Sequence, residues 1–325
     1  MTRNFKASAR RGIARVFFSW VALLLPSVVP AQEYPVKPVQ VIVSLPAGTG
    51  IDVLARTLAQ AMDAKFGQRF LVVNRTGQGV MVAANALNTA QPDGYTIAFM
   101  PATLITVQLH REKQPPYNRN TFVPICQTFD NVLFVTVAAN SPFVDLQSML
   151  AFAKANPGKL RYGTSGIASA PHLAGAELFQ RAGVQLADVP YPGETAYLPH
   201  ILSGQLEMGM ISAFLVGAQK GLRPLAVFAK ERQKAYPQLP TTAELGHPIA
   251  TLAYGGLFIR SDAPAAIISR LDAACREVVN SASYGDMADK QVVRATYLDR
   301  GAFTARIDAD FANIGKLLDA LKLKD

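Results

Sequence analysis

The architecture follows from residues 39–52, Val39-Gln40-Val41-Ile42-Val43-Ser44-Leu45-Pro46-Ala47-Gly48-Thr49-Gly50-Ile51-Asp52. The first seven residues of this segment are rich in β-branched side chains, which favour a buried strand. The glycines that follow predict a loop. Apolar residues spaced three and four apart after Asp52 predict a helix that stops at Gly67. A buried strand that leads directly into a loop and a helix is the opening of a parallel α/β unit.

The same order of elements repeats further along the chain. A strand at 70–73, a glycine loop at 76–79, a helix at 81–90 and a strand at 95–100 are separated by turn-forming residues. This alternation predicts a parallel sheet that is covered by helices on both faces.

A second α/β unit extends from the strand near 132–138 to the strand at 224–229. A further strand at 254–259 and the last helices come after that unit. Because these late elements need a sheet to pack on, we expect the chain to return to the first unit.

We therefore predict a first lobe from residues 32–133 plus 254–325 and a second lobe from residues 134–253. The crossovers between the lobes would lie near 132–138 and 252–259. The predicted fold class is α/β with two lobes, an interlobe cleft, and hinged closure around a ligand. That ligand would lie at the carboxyl ends of the strands, where open α/β sheets bind their ligands.

Residues 1–31 predict a cleaved signal peptide. A segment with five Lys and Arg residues and no acidic residue is followed by an apolar stretch at 16–25, and Val29 and Ala31 occupy the −3 and −1 positions of a cleavage site. The mature chain would then begin at Gln32, in the periplasm. An uncleaved membrane anchor is the alternative, although the stretch is short for a span of about 20 residues.

Composition and charge exclude several classes of protein. The chain has 325 residues, of which 50% are hydrophobic and 17% charged, so it is neither disordered nor a coiled coil. Subtracting the five basic residues of the predicted signal peptide from 32 leaves 27 Lys and Arg against 23 Asp and Glu. This balance gives no basic footprint for nucleic acid. Cys126 and Cys275 either pair or stay as separate thiols, and separate thiols are favoured because a chain of this size needs no disulfide.

The loop at 46–50 has the features of an anion site. Glycines let the backbone approach a ligand, and the first N–H groups of a helix have no partner within that helix. The dinucleotide fingerprint needs a third glycine where Val53 stands, so that interpretation is weak. Asp52 is interpreted as a residue that caps the helix and holds the loop. A purely structural strand-to-helix turn is the alternative.

The loop at 163–170 offers hydroxyl groups and more backbone N–H groups before a second helix. A carboxylate bound between two helix starts would need no arginine. A hydrolase with Ser165 as nucleophile is weakly supported, because the Gly-x-Ser-x-Gly elbow needs glycine where Ile167 stands. His172 is interpreted as a structural hydrogen-bonding group instead of a catalytic base. No residue cluster has the spacing of a metal site and no phosphate-binding Gly-Lys-Ser motif occurs, so we expect no metal, no cofactor and no catalysis.

Ten short motifs occur in order along the chain. They are Tyr34-Pro35-x-Lys37-Pro38, Pro46-Ala47-Gly48-x-Gly50-x-Asp52-x-x-Ala55-Arg56, Asn74-Arg75-x-Gly77, Pro92-Asp93-Gly94-Tyr95-Thr96, Asn156-Pro157-Gly158-Lys159-Leu160, Gly163-Thr164-Ser165-Gly166-x-x-Ser169-x-x-His172-Leu173, Val189-Pro190-Tyr191-x-Gly193, Leu202-Ser203-Gly204-Gln205, Pro240-Thr241-x-x-Glu244-Leu245-Gly246 and Arg270-Leu271. This series resembles the Bug family of periplasmic solute-binding receptors, the TctC-type proteins of tripartite tricarboxylate transporters. The resemblance covers almost the whole mature chain.

The resemblance implies a type II periplasmic-binding-protein fold, the Venus flytrap, whose ligand is a small organic carboxylate. The family's ligand contacts, carried over by position, fall in the first lobe on Gly48, Thr49, Gly50, Asp52, Thr76 and Gly77. In the second lobe they fall on Thr164, Ser165, Gly166, Ser169, His172 and Tyr191. The implied partners are the integral membrane subunits of the transporter. A ligand sensor for a receptor kinase, and a secreted serine hydrolase that uses Ser165, are the alternatives.

Several positions differ from the family pattern. Ile51 stands where the family commonly has a hydroxyl residue, and Ala168 and Tyr197 replace smaller residues. The usual Tyr-Lys-Gly is Tyr191-Pro192-Gly193 in this chain, which lacks the cation. These differences predict a ligand site that is more apolar than a di- or tricarboxylate needs.

Overall fold

The structure is a computed structural model that describes residues 34–77, 80–249, 253–321 and 323. The predicted signal peptide at 1–31 and the predicted mature terminus at Gln32 lie outside the described residues. The helices and strands follow in the order β1 (Val39–Val43), α1 (Gly50–Phe66), β2 (Phe70–Asn74), α2 (Met81–Asn88), β3 (Thr96–Pro101), α3 (Thr103–Thr106), α4 (Gln108–Arg111), β4 (Phe122–Asp130), β5 (Leu133–Ala138), α5 (Leu146–Ala155), β6 (Arg161–Thr164), α6 (Ala170–Ala182), β7 (Ala187–Pro190), α7 (Glu194–Leu202), β8 (Met208–Ser212), α8 (Ala213–Ala218), β9 (Leu222–Val227), β10 (Tyr254–Arg260), α9 (Ala265–Val279), α10 (Ala282–Lys290), β11 (Arg294–Leu298) and α11 (Arg300–Ala320).

The first sheet contains six strands in the order β11-β4-β10-β3-β1-β2. β1 pairs in parallel with β2 and β3, as the alternation of strands and helices predicts. β10 is antiparallel to both β3 and β4, and β11 is antiparallel to β4. The sheet is therefore mixed, because β10 and β11 come back to it after the second sheet is complete.

The second sheet contains five strands in the order β7-β6-β8-β5-β9. β6 pairs in parallel with β7 and β8. β5 pairs antiparallel with β8 and β9, since it enters this sheet directly from the first one. The α/β fold class and the two sheets agree with the sequence-based prediction of a two-lobed fold.

Helices cover both faces of each sheet. Along β1, Val41 belongs to the core formed with α1, α9 and α10, whereas Ile42 belongs to the core formed with α2, α3 and α11. Along β5, Val135 packs with α5 and α6, whereas Phe134 packs with α7 and α8. Successive residues of a strand thus enter opposite cores. This arrangement leaves the loops at the strand ends as the place for a ligand site.

β4 is a strand that the sequence analysis did not identify. Its Pro124 pairs with Phe258 where the register between β4 and β10 shifts, which is where a sheet accepts a residue without an N–H group. β4 ends at Asp130 and β5 begins at Leu133 in the other sheet, so the chain crosses between the sheets there. It returns to the first sheet at Tyr254. This division of the strands between two sheets is compatible with the predicted bounds of the two lobes, which stay predictions.

The two cysteines form a disulfide. Cys126 of β4 and Cys275 of α9 are joined, with their Cα atoms 6.6 Å apart. The expectation of two separate thiols was therefore wrong. It was wrong because the sequence does not reveal that α9, which is 149 residues further along the chain, packs on β4.

Within the described part of the chain, no helix is long and apolar enough to span a bilayer.

Candidate functional site

The first candidate loop joins β1 to α1, and the hydroxyl group of its Thr49 holds it in place. Thr49 is the N-cap of α1: its Oγ1 accepts a hydrogen bond from the Asp52 N–H at 3.4 Å and donates one to the Pro46 carbonyl at 2.9 Å. Gly48 has a φ of +83°, and no atom lies within 4 Å of the position that a Cβ would take there. The backbone at Gly48 is therefore open to a ligand.

The side chain of Asp52 holds this loop through hydrogen bonds. Its buried carboxylate accepts hydrogen bonds from the Gly48 N–H at 2.9 Å, from Arg56 Nε at 3.0 Å and from Asn74 Nδ2 at 2.8 Å. Burial alone would raise the pKa of Asp52, but these hydrogen bonds outweigh burial and lower it. Asp52 thus holds the loop as predicted, but the prediction that it caps the helix was wrong, because the N-cap is Thr49, three residues earlier. A direct contact of Asp52 with a ligand stays a prediction. Arg56 and Asn74 were not among the predicted site residues, although Arg56 lies one helical turn after Asp52.

The β2–α2 loop lies beside the first loop because Val43 of β1 pairs with Asn74 at the end of β2. Thr76 and Gly77 follow directly and are exposed. Gly77 has a φ of +128°, a conformation that favours glycine. The first sheet therefore brings Thr76 and Gly77 to the same edge as Gly48 and Thr49.

The second candidate loop joins β6 to α6 and repeats the cap. Ser169 is the N-cap of α6, and its Oγ accepts a hydrogen bond from the His172 N–H at 3.3 Å. Gly166 and Ala168 both have positive φ angles, of 98° and 57°. Thr164 is fully buried at the end of β6, and its Oγ1 has no hydrogen-bond partner among the described residues. This loop also presents glycine, hydroxyl groups and a helix start at the carboxyl end of a strand.

His172 ties this loop to its helix. Its Nδ1 accepts a hydrogen bond from the Ala168 N–H at 2.9 Å, and its Nε2 lies 3.9 Å from an Asp188 carboxylate oxygen. Burial lowers the pKa of His172, and Arg111 lowers it further, against the opposing effect of Asp188. Among the described residues no hydrogen bond joins His172 to Ser165. This geometry gives no support to a hydrolase that uses Ser165.

Tyr191 borders the second loop. Its N–H donates to the Thr164 carbonyl at 2.9 Å, which continues the pairing of β6 with β7. Its ring is partly buried and lies 5.1 Å from the ring of His200 and 5.8 Å from that of Tyr197, measured between centroids. The second sheet thus gathers Tyr191 with Thr164, Ser165 and the start of α6.

The two loops follow strands of different sheets, and the start of α1 lies next to α8. A Cβ at Gly50, the first residue of α1, would lie 3.6 Å from the Phe214 ring and 3.4 Å from Gln291 Cβ. Phe214 belongs to α8, which follows directly from β8 of the second sheet. The start of α1 is therefore next to the second sheet. Phe214 and Gln291 were not identified from the sequence, where no pattern marked them.

The three replaced side chains behind the expectation of an unusually apolar site are buried, and that expectation stays a prediction. Ile51 is buried in the core of the first sheet with Leu54 and Leu58 of the same helix. Ala168 is 2% exposed, and Tyr197 is fully buried with its hydroxyl bonded to the Met210 carbonyl at 2.6 Å. These three side chains therefore pack in the interior. Ile167 of the second loop is 49% exposed, so that loop presents an apolar side chain together with its glycine, hydroxyl and backbone groups.

Metal binding finds no support within the described ranges, which contain no group of three or more His, Cys, Asp or Glu residues placed to hold an ion. The arrangement that is present is two capped helix starts, each preceded by a glycine loop, at the carboxyl ends of strands in two α/β sheets. Such a pair of sites is suited to hold a ligand and offers no assembled catalytic group.

This architecture is that of a two-lobed solute-binding protein. The family described as "Tripartite tricarboxylate transporter family receptor" (TctC) matches residues 54–323, and the chain belongs to this family. It is 31% identical to Protein BugT of Bordetella pertussis over 239 residues, which is 72% of each chain. Both family and fold are those of solute-binding receptors.

Two solved structures show the same fold. A TctC solute-binding protein from Polaromonas, solved without ligand, is 30% identical with a TM-score of 0.72, and the match covers 88% of this chain and 99% of the other. R. palustris Rpa4515, solved with adipate, is 23% identical with a TM-score of 0.79 over 88% of this chain and 97% of the other.

Proposed function

We propose that this chain is a periplasmic receptor that captures a small organic carboxylate between loops 46–50 and 164–170. It would deliver that ligand to the integral membrane subunits of a tripartite tricarboxylate-type transporter. Membership of the TctC family and the signal-peptide pattern at 1–31 support the location and the partner. The receptor itself would perform no chemistry.

The observation that carries this proposal is the pair of capped helix starts. The N–H groups of Gly50 and Ile51 at the start of α1, and of Ala170 at the start of α6, have no hydrogen-bond partner among the described residues. Free N–H groups and the helix dipole favour an anion at each of these positions. Pro171 has no N–H, so α6 offers fewer donors and relies more on the hydroxyls of its loop.

The proposed contacts are the twelve residues predicted from the sequence. They are Gly48, Thr49, Gly50, Asp52, Thr76, Gly77, Thr164, Ser165, Gly166, Ser169, His172 and Tyr191. Asp52 and His172 would act by positioning the loops, since their side chains already bond the loop backbone. Rpa4515 holds adipate, a carboxylate, but at 23% identity that likeness establishes the fold alone. The chemical class of the ligand therefore rests on the helix starts.

The proposal is tested by identifying a ligand and then removing its hydroxyl donors. Mass spectrometry of small molecules released by denaturing the mature protein is expected to return an organic carboxylate. Calorimetric titration of that compound should show about 5- to 150-fold weaker binding to Ser169→Ala, as a lost charge-assisted hydrogen bond predicts. Thr49→Val should also bind more weakly, because the Thr49 hydroxyl holds the loop by donating to the Pro46 carbonyl.

Both hydroxyls are also helix caps, whose removal costs about 0.5–2 kcal/mol of stability. Ser281→Ala is the matched control, because Ser281 caps α10 in the same way by accepting from the Tyr284 N–H at 3.3 Å. It should lose the same stability and keep full affinity. Equal affinities in all three variants would place the ligand elsewhere.

A further inference from the structure

The turn between α10 and β11 holds a valine in a backbone conformation that suits glycine. Val292 has a φ of +51°, in the left-handed region that β-branched residues rarely adopt. Its N–H donates to the Asp289 carbonyl at 3.0 Å, and the Val293 N–H donates to the Ala288 carbonyl at 2.9 Å. These two hydrogen bonds form a Schellman motif, in which glycine or asparagine is usual at this position. Val292 therefore carries backbone strain that a glycine would not have.

The side chain of Val292 makes a contact with the second sheet. α10 packs in a core of the first sheet, and β11 is a strand of that sheet. Val292 lies between these two elements but packs against the hydrophobic cluster of the second sheet that contains Phe134 and Val216. Its Cγ2 lies 3.5 Å from the position that a Cβ would take at Gly217 of α8. The strained residue is thus a hydrophobic contact between elements of the two sheets.

An ion pair crosses the same boundary two residues later. Nη2 of Arg294 in β11 lies 3.3 Å from Oε2 of Glu231, which follows β9 of the second sheet. Both side chains are exposed, so this pair contributes little by itself. A cavity of about 450 Å³ lies at this boundary and is lined by Gln233 and Lys234 after β9 and by Val292 and Arg294 from the other side. The boundary is therefore not close-packed, and its two sides can separate without opening either core.

The turn 291–294 also lies beside the start of α1. Cβ of Gln291 lies 3.4 Å from the position that a Cβ would take at Gly50, the first residue of α1. The ring of Phe214 in α8 lies 3.6 Å from that same position. The turn therefore joins the start of α1 to α8, although none of its residues belongs to either binding loop.

We infer that Val292 is a latch that holds the two sheets and their helices in the arrangement of this structure, and that its contact with α8 opposes the rotation that would separate them. A strained backbone conformation persists where surrounding contacts compensate it, and the contact of this side chain is with the other sheet. A glycine would relieve the strain but lose the contact. This inference concerns the protein without ligand and goes beyond the proposed function.

The test measures the radius of gyration of the mature protein by small-angle scattering after bound small molecules have been removed. Val292→Gly should fold, because glycine suits the helix cap, and it should have a larger radius of gyration than the parent because the latch is lost. Val292→Asn should show the same increase. Asparagine also adopts the left-handed conformation, but its amide is unsuited to an apolar cluster, so this variant separates the lost contact from the added flexibility of glycine.

Val144→Gly is the matched control. Val144 is 67% exposed and precedes α5, which packs on the face of the second sheet opposite to α8. This variant loses the same side chain without loss of a contact between the sheets, so it should keep the radius of gyration of the parent. Circular dichroism should show all three variants folded.

The outcomes are independent of ligand binding. If both Val292 variants keep the radius of gyration of the parent, or if Val144→Gly expands as much as they do, the latch is overturned. Because no ligand is present in this measurement, either result leaves the proposed carboxylate receptor to be decided by its own titrations.

Discussion

At the scale of single residues, Asp52 links the loop backbone to the helix that begins the site. Its carboxylate accepts from the loop at Gly48, from the helix at Arg56 and from β2 at Asn74. Three elements are thus fixed by one buried charge. The sequence predicted that Asp52 holds the loop, but not the partners, because Asn74 is 22 residues away. Which distant side chain completes a hydrogen-bond network depends on the tertiary fold.

The lowered pKa of Asp52 predicts how stability depends on pH. The folded-state pKa lies below the ordinary value of about 3.9, so Asp52 stabilises the fold above that value. This contribution is lost as the pH falls through the folded-state pKa. Asp52→Asn should therefore lower the free energy of unfolding by about 1–3 kcal/mol at pH 7, and by much less near pH 2.

Urea titrations of parent and variant at the two pH values measure this difference. Asp262→Asn is the control: its pairing with the half-buried Arg260 also lowers the pKa of Asp262, but this carboxylate is half-exposed, so its loss should matter less. A constant difference between parent and Asp52→Asn at both pH values would contradict the assigned role of the charge.

Among the helices and strands, the sequence predicted those whose residues have strong local preferences for the observed structure. β1, its glycine loop and α1 carry β-branched residues, then glycines, then a helical repeat, so each local preference points to the observed structure. β4 was missed because Pro124 argues against a strand unless a partner strand has a bulge there. α3 and α4 have four residues each, which is too short for a periodic pattern.

The residues of the candidate site also divide into those that local sequence rules predict and those whose position depends on the tertiary fold. Both glycine loops could be predicted from the sequence, but their caps were not: Asp52 was expected to cap α1, whereas Thr49 caps α1 and Ser169 caps α6. Phe214 could not be predicted, since it lies next to the start of α1 through packing between elements that are distant in sequence. The disulfide was missed for the same reason.

The packing of β6 against α7 predicts the effect of a substitution at Gly163. A Cβ at Gly163 would lie 2.6 Å from Cδ2 of Tyr197, a ring that is fully buried and fixed by its hydroxyl bond to Met210. The ring has no room to yield, so Gly163→Ala should destabilise the protein by about 1–3 kcal/mol. It should also weaken ligand binding, because Thr164 is the next residue.

Gly285→Ala is the matched control for this substitution. Gly285 lies within α10, and nothing stands within 4 Å of the position that its Cβ would take. Alanine there should stabilise the helix by about 0.5–1 kcal/mol. Thermal unfolding of both variants measures these changes in stability. A Gly163→Ala protein as stable as the parent would mean that the Tyr197 ring can move.

At the scale of the whole molecule, the chain connects the two sheets after Asp130 and again before Tyr254. Few connections of this kind permit one sheet and its helices to rotate against the other. A ligand that bonds both helix starts is favoured only where the two starts are close together, so it stabilises the closed arrangement. Gly50 of α1 lies next to Phe214 of α8, so we expect the closing surface to include this pair.

Gly50→Leu tests whether that contact closes on the ligand. A side chain there would start 3.4 Å from Gln291 and 3.6 Å from Phe214, so a leucine must wedge the start of α1 away from α8. Leucine is a good helix former, and the variant should fold. By small-angle scattering, the parent protein should show a smaller radius of gyration when saturated with its carboxylate, whereas Gly50→Leu should stay open and bind at least 10-fold more weakly. Gly285→Ala should close as the parent does. A Gly50→Leu protein that contracts fully with ligand would show that the sheets close along another surface.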